Sequence, residues 1–153
     1  MEEMKAAGVQ LAYTDNIARE AFRKAVLNSA LSSICTLTRM TMADTMGDTE
    51  LVRVVREMLV ESQNIAAKSG IELGDDFVEK AILYLSKGGK HKPSMLIDIE
   101  KERQTEIRHL AGKLHEYAAA KDVSVPVTQT MFYLVKSLEK SVMLQKYINI
   151  SYD

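Results

Sequence analysis

FRKAVLNSALSSICTLT, residues 22–38, decides the fold. From Ala25 to Thr38 the run carries no charged side chain. On a helical wheel its apolar groups lie all round, with Phe22, Val26, Leu27, Ala30, Leu31, Ile34 and Leu37 leaving no fully polar face. A helix of that kind has to be covered on every side, so it belongs in the middle of a bundle. One polar stripe nevertheless runs along it. Lys24, Asn28 and Ser32 follow one another at i, i+4 and i+8, flanked by Ile17, Ala21, Leu31 and Cys35. At about 3.6 residues per turn these positions drift about 40° per step and form a band about 12 Å long. Two readings stay open at this point. Lys24 is the last solvated charge before the helix turns inward, with Asn28 and Ser32 bonded to backbone. Alternatively an ammonium, an amide and a hydroxyl line a cleft for an anionic, oxygen-rich ligand.

Outward from this helix, seven Gly and two Pro in 153 residues are sparse punctuation, which favours long helices over many short strands. Val9–Tyr13 alternates weakly and reads as a short extended lead-in. Thr14, Asp15 and Asn16 supply caps for a helix over 17–38. A second helix starts after Asp48, with Glu50 in its first turn, and stops at Gly70. A third fits 75–86, ended by Gly88-Gly89, and one or two more follow Pro93 up to Lys121. Residues 123–126 read as a linker and a last helix as running from about Thr128 into the 140s. The fold class is all-α, a bundle of five to seven helices in one domain spanning 1–153.

Composition narrows the function classes. Hydrophobic residues make up 46% and charged residues 27%, as in an ordinary globular protein. With 20 basic and 21 acidic residues and no basic tract, nucleic acid is not an expected partner. Cys35 is the only cysteine, which excludes an internal disulfide and suits a reducing compartment. The sequence shows neither a signal-peptide pattern nor a charge-free run of about 20 residues, so no membrane is expected and the cytoplasm is the expected location.

The second informative stretch is KPSMLIDIEKERQTEI, residues 92–107. Pro93-Ser94 reads as a helix start, with the Ser94 hydroxyl as N-cap. Met95, Leu96 and Ile99 can then face the core while Asp98, Lys101 and Glu102 face water. On a helix starting near Thr105, Glu106 borders the stripe Ile107, Leu110, Ala111, Leu114 and Ala118. Its carboxylate is either a rim or cap charge or a working group at the edge of the core. Other motifs fall away. Glu106 and His109 make a single Glu-x-x-His, whereas a di-iron bundle needs two such motifs and two further glutamates. His91, His109 and His115 show no metal-ligand spacing, so no metal is expected. Cys35 reads as a small hydrophobe. No Gly-x-Gly-x-x-Gly occurs, so the chain carries no dinucleotide-binding fold of its own.

Taken together, these segments resemble the C-terminal domain of the ketopantoate reductase (2-dehydropantoate 2-reductase) family. AAGVQLAYTDNIAREAFRKAVLNSALSSICTL, residues 6–37, is similar to the family's linker and its Lys-x3-Asn-x3-Asn helix. PSMLIDIEKERQTEI, residues 93–107, is similar to Ser-Ser-Met-x2-Asp followed by Thr-Glu-Ile. Gly112 and VSVPVT, residues 123–128, match the family's Asn-Gly and the Pro before its last helix. The resemblance implies a helical domain of the 6-phosphogluconate-dehydrogenase C-terminal type, joined behind a Rossmann domain that binds NADPH. It implies reduction of a 2-oxo acid to a 2-hydroxy acid in the cleft between the two, as in pantothenate biosynthesis.

By the same resemblance Lys24 matches the catalytic lysine and Glu106 the glutamate that orients lysine and substrate. Asn28, Ser32, His91 and Ser94 match substrate-binding positions. The sequence also departs from the family. Ser32 stands where a second asparagine is usual, Pro93 replaces the first serine, and His91 stands where some members have a substrate-contacting asparagine. Arg108 replaces a common aspartate, so a Thr-x-x-Asp cap cannot form there. Residues 1–14 read as an interdomain linker remnant, with the Rossmann domain absent from the chain and the isolated chain expected to be inactive. A reading of another class is a stand-alone helical module that uses its docking face for homodimerisation. A third keeps the enzyme class but takes a different branched or aromatic 2-oxo acid.

Overall fold

A helix with no polar face needs neighbours all round, and the chain supplies them. The computed structural model describes residues 16–150, and the side chains of 16–146. The lead-in read at Val9–Tyr13 lies outside the described residues. Within them the chain forms seven helices: α1 Ile17–Thr38, α2 Met42–Gly47, α3 Thr49–Lys68, α4 Phe77–Leu85, α5 Ser94–Glu100, α6 Ala111–Ala120 and α7 Pro126–Ile150. The all-α fold class and its upper helix number are what the structure shows. Each of the other six helices touches α1.

The boundaries of α1 and α3 follow from local chemistry. The Asn16 side chain accepts the Arg19 N–H at 2.9 Å, satisfying one of the four free donors at the start of α1. Asp48 does the same for α3, accepting from Glu50 and Leu51 at 2.9 and 3.0 Å. At the other end of α3, Gly70 takes φ +71°, and the Ile71 N–H reaches the Ala66 carbonyl at 2.9 Å. That left-handed closing turn is one glycine adopts without strain.

Inside α1 every residue from Ser29 to Thr36 is buried. Two of its polar groups find partners within the chain. The Thr36 hydroxyl donates to the Ser32 carbonyl at 2.7 Å, and the Cys35 sulfur meets the Thr45 hydroxyl at 3.2 Å. Burial pushes the Cys35 thiol above its ordinary range, so it stays protonated and behaves as a small apolar group.

Several expected boundaries are corrected. The short α2 sits between the first two helices expected from sequence. Its Thr41 side chain accepts the Asp44 N–H at 3.2 Å, a cap written in the sequence as Thr-x-x-Asp. Ser94 is not an N-cap. Pro93 holds that position, Ser94 is the first residue of α5, and no side chain caps it. Asp98 does not face water freely, because its carboxylate is half-buried and pairs with Arg103 at 2.6 Å. No helix begins at Thr105. Residues 105–110 form turns and α6 starts at Ala111. The stripe on that segment still packs inward, with Ile107, Ala111, Leu114 and Ala118 all buried. Pro126 opens α7 instead of closing a linker, a position that suits its fixed φ and missing N–H.

Two buried carboxylates hold distant segments together. Glu61 of α3 reaches the start of α7, where its two oxygens each accept at 2.8 Å, one from the Val127 N–H and the other from the Thr128 N–H. A carboxylate at a helix N-terminus is favoured by both the free donors and the helix dipole. Glu139 of α7 accepts from the Thr105 N–H at 2.7 Å and from its hydroxyl at 2.6 Å. α6 lies close to α7 at Gly112, where a Cβ would stand 3.0 Å from the Phe132 ring.

Candidate active site

The outer half of α1 builds the site. Lys24 and Asn28 are exposed and Ser32, two turns further in, is buried at 4% exposure. All three line one cleft of about 360 Å³, so the stripe read in the sequence runs from solvent into the core along a single opening. The size falls in the ordinary range of small-molecule sites, roughly 300–1,000 Å³.

The cleft has a polar edge and an apolar wall. On α1, Leu27 and Leu31 lie beside the polar stripe, about a sixth of a turn away. Met42 at the start of α2 and Tyr84 and Leu85 at the end of α4 complete the wall. Arg23 stands beside Lys24 on the lining, half-buried. Among the described residues neither cation makes an ion pair, whereas Glu20 on the same lining is held by Arg19 at 3.3 Å. Two cations without an internal partner, next to an amide and a hydroxyl, suit a carboxylate-bearing ligand. The apolar wall suits a carbon side chain on that ligand.

The remaining expected residues do not line this cleft. His91 is exposed, and its backbone carbonyl accepts the Met42 N–H at 3.0 Å. Ser94 follows on the same loop at the start of α5, which packs on α1. Glu106 is exposed in the 105–110 turn. Two residues of that turn, His109 and Leu110, share a second cleft with Ala21 and Ala25 of α1. On the α1 wheel Ala25 lies beyond the stripe from Leu27 and Leu31, and Ala21 falls within the stripe's own arc. The stripe thus has the Met42 wall on one side and His109 and Leu110 towards the other.

Sequence reasoning missed Arg23, Met42 and Tyr84. Arg23 had a signal, being adjacent to a lysine already singled out. Tyr84 also had one, because Ile82-Leu83-Tyr84 is apolar for longer than one face of α4 needs, and Leu83 and Tyr84 are each 62% exposed. Met42 had none, because only the fold of the 88–91 loop brings it to the cleft. No helix among the described residues is long and apolar enough to cross a membrane.

Residues 16–139 match the family model described as ketopantoate reductase PanE/ApbA C terminal. A 2-dehydropantoate 2-reductase of Mesorhizobium japonicum is 31% identical over 137 residues, covering 90% of this chain and 42% of that protein. One from Pyrococcus horikoshii is 28% identical over 138 residues, covering 90% and 46%. Among solved structures, D-mandelate dehydrogenase with NADH and anilino(oxo)acetate superposes with a TM-score of 0.83 at 26% identity, over 92% of this chain and 59% of that one. The chain thus spans less than half the length of these two curated relatives.

Proposed function

This chain belongs to the ketopantoate reductase PanE/ApbA C-terminal family, and from that membership we propose that it is the substrate-binding, proton-donating half of a 2-oxo-acid reductase. The observation that carries the reading is one cleft lined in register by Lys24, Asn28 and Ser32, on the helix that resembles the family's lysine helix. The D-mandelate dehydrogenase structure supports it from outside, because its complex holds a nicotinamide nucleotide and an oxoacetate derivative.

The described residues do not fit a dinucleotide. Seven helices without a strand offer no βαβ unit, and no glycine-rich phosphate loop precedes any of them. We therefore assign the nucleotide, NADPH by the family resemblance, to a separate Rossmann domain; bound there, it would supply the hydride. This chain supplies the proton. The Lys24 ammonium polarises the ketone oxygen and gives it a proton as it becomes the hydroxyl, and exposure lets the amine take a proton back from water. The Asn28 amide and Ser32 hydroxyl hold the oxygens of the substrate. Glu106, which makes no ion pair with Lys24 among the described residues, takes the lysine-orienting part by the family resemblance alone. His91 and Ser94, on the loop joined to Met42, complete the substrate side.

By this reading the 153-residue chain alone does not reduce 2-oxopantoate with NADPH, because nothing in it delivers hydride. Turnover by the isolated chain would overturn that division of labour. In the protein joined to a nucleotide-binding domain, Lys24→Ala is expected to lower kcat by about 10²–10⁴. Its melting temperature should stay unchanged, since the side chain is exposed. Wild-type turnover in that variant would remove the lysine's role.

A further inference from the structure

We propose that Met42 is the residue of this cleft that reads the carbon side chain of the substrate, favouring larger apolar side chains by direct contact. The inference rests on the cleft being a 2-oxo-acid site, and adds the residue that selects among such acids. A ligand whose carboxylate and keto oxygens meet Lys24, Asn28 and Ser32 has its side chain against Leu27, Leu31, Leu85 and Met42. Burying that side chain there is favourable in proportion to its apolar area.

Met42 differs from the leucines in how it is held. Its N–H donates to the His91 carbonyl at 3.0 Å, and the next N–H, of Ala43, donates to the Gly89 carbonyl at 3.1 Å. These bonds dock the 88–91 loop on the start of α2. Gly88 closes the arrangement. A Cβ placed there would stand 3.3 Å from both Cβ and Cε of Met42 and 2.9 Å from the Leu85 carbonyl oxygen. The Gly88 N–H also bonds that carbonyl at 3.0 Å. The methionine is thus backed by a loop that is itself hydrogen-bonded to Leu85, another residue of the wall. An unbranched thioether fits irregular space and makes favourable contacts with aromatic rings, so it suits a wall that receives side chains of varied shape. The same geometry gives His91 a part in specificity through its carbonyl.

The test is equilibrium binding of pyruvate, 4-methyl-2-oxopentanoate and phenylglyoxylate to the 153-residue chain, followed by NMR. Affinity should rise from pyruvate to the two larger acids by about tenfold or more. Met42→Ala should lower the phenylglyoxylate-to-pyruvate affinity ratio by about tenfold, and Met42→Leu should restore most of it. Equal affinity for all three acids, or a ratio unmoved in Met42→Ala with the variant's spectrum showing it folded, overturns the proposal. Lys24→Ala separates the two levels of inference. If no acid binds in a Lys24-dependent way, the site reading itself falls and this one with it. If binding needs Lys24 but ignores side chain and Met42, only this one falls.

Discussion

The α3–α7 joint and the cleft face of α1 handle polar groups in opposite ways. At the joint, Glu61 is 7% exposed and both its oxygens are taken by backbone N–H groups of α7. On the cleft face, Lys24 and Arg23 have no ion-pair partner among the described residues. A buried carboxylate completely satisfied from within builds the fold, because leaving it or its donors unpaired would cost more than its bonds return. A cation satisfied by nothing internal costs little while solvated, and stays available to a ligand. The difference teaches where to look. In this chain the charges without a protein partner, and not the buried ones, mark the candidate site.

Glu61→Ala tests the independence of the two regions most severely. Removing the carboxylate strands the Val127 and Thr128 N–H groups, and the expected loss is about 2–3 kcal/mol in urea unfolding. Under conditions where the variant remains folded, Lys24-dependent binding should match wild type. A loss of binding in the folded variant would show that the joint and the cleft are one unit. Gly112→Ala comes next. Its new Cβ would stand 3.0 Å from the Phe132 ring, and the overpacking should cost about 1–2 kcal/mol by the same measurement. An unchanged midpoint would mean that α6 and α7 can part without loss.

The smallest effect belongs to a pair on the outside of α3. Arg56 binds Glu79 through both terminal guanidinium nitrogens, one contact measuring 3.0 Å, and holds the carboxyl below its usual range. A lowered carboxyl pKa adds stability above the unfolded pKa, and that stability is lost as pH falls through the folded one. Glu79 is fully exposed, so Glu79→Gln should move Tm by no more than about 2 °C at neutral pH. The difference should shrink on acidification, and a gap that widens would contradict the assigned cause.

What could be read in the sequence was what neighbours in sequence decide. The charge-free run after Lys24 announced a central helix, Asn16 and Asp48 announced helix starts, and Gly70 announced a helix end. The stripe of Lys24, Asn28 and Ser32 was legible because one helix carries all three. The 105–110 turn was not, because Thr105 is tied to Glu139, 34 residues away. The start of α2 is docked beside the cleft by the Met42 N–H on the His91 carbonyl and the Ala43 N–H on the Gly89 carbonyl, which no period in the sequence records. Glu61 left a trace that went unread. It lies between Met58 and Ile65 on the buried face of α3, and a carboxylate in an apolar stripe implies a partner waiting elsewhere.

That partner also arrives late. The Glu61 carboxylate and the Val127 amide are separated by 66 residues, so a ribosome adding roughly 5–20 residues per second makes the second about 3–13 s after the first. Throughout that interval the carboxylate can be satisfied only by water, and α3 cannot close its buried face over it. The central helix and α3 are therefore made well before the bonds that fix α7 against α3 can form.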